Sequence, residues 1–261
     1  MRRQRWFEIH DSPWFPAFLR DLVTESLEAV WNANHTYRPV AGRLREAIMN
    51  SGSDCVVDLC SGGGGPWLGL YDDVAAGRAL EVRLTDLHPN GRLFALTAGG
   101  SQCLRPEPEA VDALCVPPAL RGFRTIFSSF HHFDPIQARG LLADACAQRE
   151  GIGVFEAARC NAKTMFLLAG VPILALRTAA AARPIRTSRI VWTYLLPVVP
   201  LVLWVDGLLS CLRSYSLNDM RELSAGLGGS DYDWQIGEEN GGSVVIRYLI
   251  GTPRRPGARS G

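Results

Sequence analysis

The sequence predicts an α/β protein built on a doubly wound sheet, and three stretches carry that expectation. Cys55-Val-Val-Asp58-Leu is a short apolar run that passes into the glycine-rich bend Cys60-Ser-Gly62-Gly-Gly64-Gly65 and then into Pro66. Strand, tight turn and helix start in that order form a nucleotide-binding βα unit. Glycine has no Cβ and accepts positive φ, so the backbone can turn sharply and approach a ligand. Pro66 suits a first helical turn, where its missing N–H costs nothing. Next, Glu81-Val-Arg-Leu-Thr-Asp86 alternates like a half-buried strand and ends on a carboxylate. Finally, Tyr232–Ile236 and Ser243–Ile250 are strand-like runs joined through Glu238-Glu-Asn-Gly-Gly242, the pattern of an antiparallel pair.

Composition narrows the classes. The 261 residues are 47% hydrophobic and 20% charged, enough for a sizeable core and against global disorder. With 27 basic against 26 acidic residues, nothing supports an electrostatic nucleic-acid binder. Seven cysteines lie scattered without a CxxC pair, which favours reduced thiols in a cytoplasmic protein over a disulfide framework or a zinc site. The start, Met1-Arg-Arg-Gln-Arg-Trp, runs into Glu8, His10 and Asp11 rather than an apolar core, so no secretory signal is expected.

Asp58-x-Cys60-x-Gly62-x-Gly64 resembles the first motif of the class I S-adenosylmethionine (SAM) methyltransferases, acidic-x-Gly-x-Gly-x-Gly, with Cys60 at the first glycine. The dinucleotide fingerprint G-x-G-x-x-G fits poorly. Counted from Gly62 and Gly64, its third glycine falls on Trp67, where helix–strand packing needs a small residue. A nicotinamide-dependent oxidoreductase is therefore disfavoured. Asp86 stands about twenty residues beyond the bend, where a carboxylate can accept both hydroxyls of a ribose; alone it would read as a helix cap before Pro89. Val111-Asp112-Ala113-Leu114-x-x-Pro117 resembles a third family signature, in which the acid meets the adenine amino group.

The resemblance covers roughly residues 50–250. It implies a seven-stranded, mostly parallel sheet ending in an antiparallel hairpin, with SAM across the strand ends. Asp58, Cys60, Gly62, Gly64, Asp86, Asp112, Ala113 and Phe130 are then the cofactor-binding residues.

Around that core the chain divides into an N-terminal helical cap (1–50), the SAM-binding core (51–164), an apolar lid or insertion (165–215), a last helix and hairpin (216–251) and a disordered tail (252–261). In the cap, a helix capped by Asp11 or Ser12 is expected to reach Trp31, and another to run over Pro39–Met49. Trp14, Phe15, Tyr37 and Arg38 either pack on the sheet or line a substrate mouth. Gln102-Cys-Leu-Arg-Pro-Glu-Pro carries two prolines, which argues against a central strand.

Phe123–Ser129 reads as a strand running into Phe130-His131-His132-Phe133-Asp134-Pro135, where Asp134 and Pro135 start a helix. His131 and His132 are candidates for substrate contact or general base, because a neutral imidazole can take a proton near pH 7. A metal is not expected there, since neighbouring side chains in a strand-like stretch point to opposite sides and no third ligand is evident. Glu156, also at a strand end, either faces substrate or pairs with Arg159 or Arg124.

From Met165 to Leu212 the chain is strongly apolar, and Ile190–Val205 carries no charge. Sixteen residues broken by Pro197 and Pro200 fall short of a membrane span. A water-excluding lid, or peripheral membrane contact, fits better. Asp206, Ser210, Arg213 and Tyr215 are polar islands near its end; Arg213 either holds a substrate carboxylate or caps a helix. The expected activity is methyl transfer from SAM to an oxygen, nitrogen or carbon of a small, partly apolar acceptor. The alternative is a non-catalytic SAM-binding or membrane-docking protein.

Overall fold

The computed structural model describes residues 8–91, 93, 103–159, 161–181, 186–241 and 244–254. Trp6, Phe7 and the tail beyond residue 254 lie outside them. Seven strands form one sheet: β1 (Cys55–Leu59), β2 (Glu81–Leu84), β3 (Leu104–Pro106), β4 (Phe123–Phe127), β5 (Ile152–Glu156), β6 (Tyr232–Asn240) and β7 (Val245–Pro253). Their order is β3-β2-β1-β4-β5-β7-β6. The pairs among β1 to β5 are parallel, whereas β7 runs antiparallel to both β5 and β6.

The chain steps outward from β1 to β3, then returns to the other side of β1 for β4. That reversal leaves a crevice beyond the carboxyl ends of β1 and β4, the place where doubly wound sheets bind ligands. β4 and β5 are buried throughout, as central strands covered on both faces must be. β3 does exist despite its proline, because it is short and at the edge, where Pro106 has no inner ladder to interrupt. β6 and β7 run longer than the sequence implied, and β7 takes in Thr252 and Pro253, so the tail begins later than expected.

Helices α2 (Ala41–Ser51) and α3 (Trp67–Ala75) cover one face, burying Leu44, Ile48, Trp67 and Leu70 against Val56 and Val82. Helix α4 (Pro135–Ala147) covers the other, packing Leu141 and Leu142 on Val57 and Val154. Each such buried aliphatic side chain contributes about 1.5–3 kcal/mol. Asp134 and Gln137 close a reciprocal capping box at the start of α4.

A third layer is formed by α1 (Ala17–Ala33) with the apolar insertion: α5 (Ala162–Leu168), α6 (Val171–Ala181), α7 (Thr187–Leu195) and α8 (Val198–Arg213). Leu19, Leu22 and Val23 of α1 meet Ala175 of α6 and Val199, Val202 and Leu203 of α8. The first helix thus packs on the insertion and begins later than expected, at Ala17 after Pro16; the Asp11 carboxylate is turned elsewhere. α7 and α8 meet at 67° across Leu196 and Pro197, the break that proline makes in a helix. No single helix among the described residues is long and apolar enough to cross a membrane. α9 (Leu217–Ser224), capped by Ser216, leads into the hairpin.

Candidate functional site

The bend after β1 is left-handed at Cys60 (φ 59°), Gly62 (54°), Gly64 (114°) and Gly65 (55°). Cys60 therefore holds the conformation that the family motif gives to a glycine, one that side chains adopt at a cost. Asp58 lies buried beneath the bend. The Ser61 hydroxyl donates to its Oδ2 (2.7 Å) and the Thr125 hydroxyl to its Oδ1 (2.6 Å), tying bend and β4 together. Asp58 thus supports the loop rather than facing a ligand.

Burial pushes the Asp58 carboxyl up to about 7, against the opposing pull of those hydroxyls. A raised carboxyl pKa means that the folded state keeps its proton longer than the unfolded chain. The stability this group contributes is full below pH ~4 and is lost as pH climbs through about 7. Asp58→Asn, which keeps the neutral shape, is expected to melt like the wild type at pH 4 and to gain up to about 4 kcal/mol over it at pH 8. Thermal melts across that range check it; a parallel shift at both pH values removes the assignment.

Asp86 follows β2 and ties the two loops together. Its Oδ2 accepts the Gly62 N–H and its Oδ1 the His88 N–H, both at 2.8 Å. Burial raises its pKa, and the two N–H donors oppose that rise. The Val111 N–H donates to the Asp86 carbonyl (2.9 Å), bringing Asp112 and Ala113 alongside. Asp112 is exposed and accepts from the Leu114 N–H (2.9 Å), while Ala113 is buried.

Ser61, Gly62, Thr85, Asp86, Asn90, Leu93 and Glu107 line a crevice here. It encloses only about 10 Å³, room for roughly one water. Leu93 Cδ1 lies 2.9 Å from the point where a Cβ on Gly64 would stand, so the side chain rests directly on the bend. Leu93 thus narrows the crevice on the side of the bend.

At the next strand tips the structure corrects several expectations. Ser128 adopts a positive φ of 45°, and Phe130–His132 form a 3-10 turn rather than extended chain. Both imidazoles consequently turn to the same carboxylate instead of opposite sides. His131 Nε2 is 3.1 Å from Glu8 Oε1, and His132 Nε2 is 3.4 Å from Glu8 Oε2.

His131 is buried, and its Nδ1 donates to Glu156 Oε2 at 2.6 Å. Burial works against its charge, but Glu156 and Glu8 outweigh burial and raise the imidazole to about 10. Protonated and enclosed, it is no general base in this state. Glu156 neither faces substrate nor pairs with an arginine: Oε1 also accepts the Phe130 and His131 N–H groups (2.8 and 3.3 Å). Arg159 goes to Glu238 and Arg124 to Asp144. Phe130 is not at the cofactor crevice but in the core, with its ring 5.3 Å from that of Tyr215.

Glu8, His10, Asp11, Asp206 and Ser210 complete this cluster; on sequence Asp11 reads as a helix cap, Asp206 and Ser210 as polar islands, and Glu8 and His10 carry no role. His10 Nδ1 lies 2.7 Å from Asp206 Oδ2, His132 Nδ1 lies 2.5 Å from Asp11 Oδ2, and the Ser210 hydroxyl donates to Glu8 (2.9 Å). Glu8 is held well below the usual carboxylate range: burial would raise it, but His132, His131 and His10 together prevail. One signal was available, since Asp206 follows an uncharged run and a carboxylate buried among apolar residues needs a partner.

The expected substrate residues do not converge. Trp14 is 74% exposed. Tyr37 is buried, with its hydroxyl 2.5 Å from Ser128 Oγ, and Arg38 pairs on the outer surface with Asp73. Arg213 ends α8, donates to the His132 carbonyl (2.8 Å) and lies near Glu8, so its charge serves the cluster.

No protein-family model matches the sequence, and no curated protein matches it. Solved structures do match. Human N-acetylserotonin methyltransferase in complex with SAM superposes with a TM-score of 0.51 at 10% identity, over 94% of this chain and 61% of its own. This chain thus spans about three fifths of that enzyme. The plantazolicin methyltransferase BpumL, solved with SAH, superposes with a TM-score of 0.50 at 10% identity, over 91% of this chain and 96% of its own. NcsB1, an O-methyltransferase from neocarzinostatin biosynthesis, aligns at a TM-score of 0.43 and 16% identity, over 78% of this chain and 50% of its own. The chain has the class I SAM-dependent methyltransferase fold.

Proposed function

We propose that this protein binds SAM across the tips of β1 and β2 and transfers its methyl group to a small, partly apolar acceptor. The observation that carries this is Asp86, fixed by the Gly62 N–H beside the point where the sheet order reverses. Its carboxylate accepts one N–H on each oxygen, and each oxygen has a further lone pair for a ribose hydroxyl. Gly62 and Gly64 let a cofactor tail pass close to the backbone, and Asp112 offers an acceptor for an adenine amine.

Bound SAM supplies an electrophilic methyl group, so the chain has to align a nucleophile, take up its proton where it has one, and exclude water. His131 and His132 follow β4, the strand paired with β1, so their cluster stands at the same end of the sheet as the crevice. Of the two expected histidines, His132 has the part-exposed ring, at 21%, and Asp11 orients it; it is the one that meets an acceptor. The α1–α8 layer is the apolar wall on that side. Calorimetric titration with SAM and with NAD tests this: saturable SAM binding without NAD binding is expected, and the reverse overturns it. A lysate screen with labelled SAM identifies the acceptor.

One observation favours peripheral membrane contact as a second property of a cytoplasmic enzyme. Phe166 (81% exposed), Ile173, Leu195 (74%), Leu196 and Leu201 leave large apolar side chains uncovered on α5–α8, more than scattered surface residues require. Wild-type protein is expected to float with liposomes and Leu195→Glu/Leu201→Glu to remain at the bottom of the gradient. Equal sedimentation of both removes membrane contact.

A further inference from the structure

Glu8, His10 and His132 come from two distant parts of the chain, yet one donor atom from each lies within 4.8 Å of the others. Two imidazoles and a carboxylate form a donor set suited to first-row divalent ions, not to magnesium or calcium, which favour oxygen alone.

The surroundings fit an ion as well as the donors do. Metal-binding histidines direct their second ring nitrogen to a carboxylate, which fixes the ring and strengthens the donor. His132 does so here, its Nδ1 meeting Asp11 Oδ2 at 2.5 Å; His10 Nδ1 meets Asp206 Oδ2 at 2.7 Å and also lies 3.9 Å from Glu8 Oε2, while its Nε2 is 3.6 Å from Asp11 Oδ1. Asp206 is also fixed on its other side, by the Ile9 N–H at 2.7 Å. The rings stand edge to face, with centroids 5.8 Å apart.

His132 Nε2 and Glu8 Oε2 are separated by 3.4 Å. That is about the edge of a tetrahedron whose ligands sit ~2.1 Å from a central ion. His10 is the outlying member: its Nδ1, bonded to Asp206, is 3.9 Å from Glu8 Oε2, and the ring has to turn toward Glu8 and His132 for Nε2 to complete the set. The side chains of His10 and His132 are 16% and 21% exposed while Glu8 is buried. The group therefore has a closed floor and an open rim, as three-ligand sites with a vacant coordination position do.

Charge points the same way. Among the described residues of the cluster, the four carboxylates of Glu8, Asp11, Asp206 and Glu156 face two cations, the Arg213 guanidinium and the His131 imidazolium, which leaves a negative surplus. A dication shared by Glu8, His10 and His132 offsets that surplus where it is densest.

We infer that Glu8, His10 and His132 form a binding site for one divalent transition-metal ion of the zinc or cobalt type, with Asp206 and Asp11 as the carboxylates that orient its two histidines. The site does not depend on the methyl-transfer proposal, since metal binding is measured without SAM.

The test uses tag-free full-length protein stripped with a chelator and titrated with Co²⁺, following its visible absorption, with Zn²⁺ as competitor. One equivalent is expected to bind, with an absorption band that Zn²⁺ abolishes. His35→Ala and His88→Ala, which alter the two histidines outside the cluster, are expected to bind as the wild type does. His10→Ala and His132→Ala are expected to lose at least about 100-fold in affinity, and Asp206→Asn about 10- to 100-fold. Asp206→Asn nearly preserves side-chain shape, so it keeps the test decisive if either alanine variant fails to fold by circular dichroism. Absence of saturable binding to the wild type overturns the site, and so does binding that survives His10→Ala and His132→Ala, which would place the ion on cysteines.

Discussion

Replacing Asp86 with Ala is expected to weaken SAM binding by about 100-fold, with the fold intact by circular dichroism. The carboxylate holds the Gly62 N–H, which sets the bend relative to β2, and under the proposed function the remaining lone pairs of both oxygens receive a ribose. Hydrogen bonds to a charged group contribute about 1.5–3 kcal/mol each, so two lost together exceed tenfold comfortably. Asp86→Asn retains one oxygen and is expected to fall between, at about tenfold. If calorimetry gives Asp86→Ala the wild-type affinity, the ribose assignment fails.

His131→Leu is expected to be the most destabilising single change at these strand tips, at about 3–5 kcal/mol, because it leaves Glu156 and Glu8 buried without the imidazolium between them. In a chain of this size such a loss lowers Tm by about 10 °C. Glu156→Gln alone is expected to cost less, and the double variant His131→Leu/Glu156→Gln to recover part of the loss, since removing both charges ends the mismatch. Additive single losses would mean that the two groups do not act as a pair. A Tm change under about 2 °C for His131→Leu would mean that neither carboxylate is desolvated there.

The parts of the fold that were legible in the sequence are those whose causes are local. The glycine bend after β1, the acid ending β2 and the Gly-containing connection between β6 and β7 each announce themselves within a dozen residues. The cluster at the tips of β4 and β5 was not legible, because its members lie as far apart as Glu8 and Ser210. Asp11 reads locally as a helix cap, but its carboxylate finds His132 instead, and Pro16 begins the helix. His131 and His132 read as alternating along a strand, an inference undone by the backbone turn at Ser128. Arg213 looked free for substrate only because the carboxylates around it come from the other end of the chain.

That last separation bears on how the protein folds. Ile9 and His10 reach Asp206 across 197 and 196 residues, and closing so long a loop is slow and entropically costly. The two halves of the cluster therefore meet only after the segments between them have had time to form. The inner strands pair over much shorter spans, so the strand-tip cluster is expected to order after them when the protein refolds.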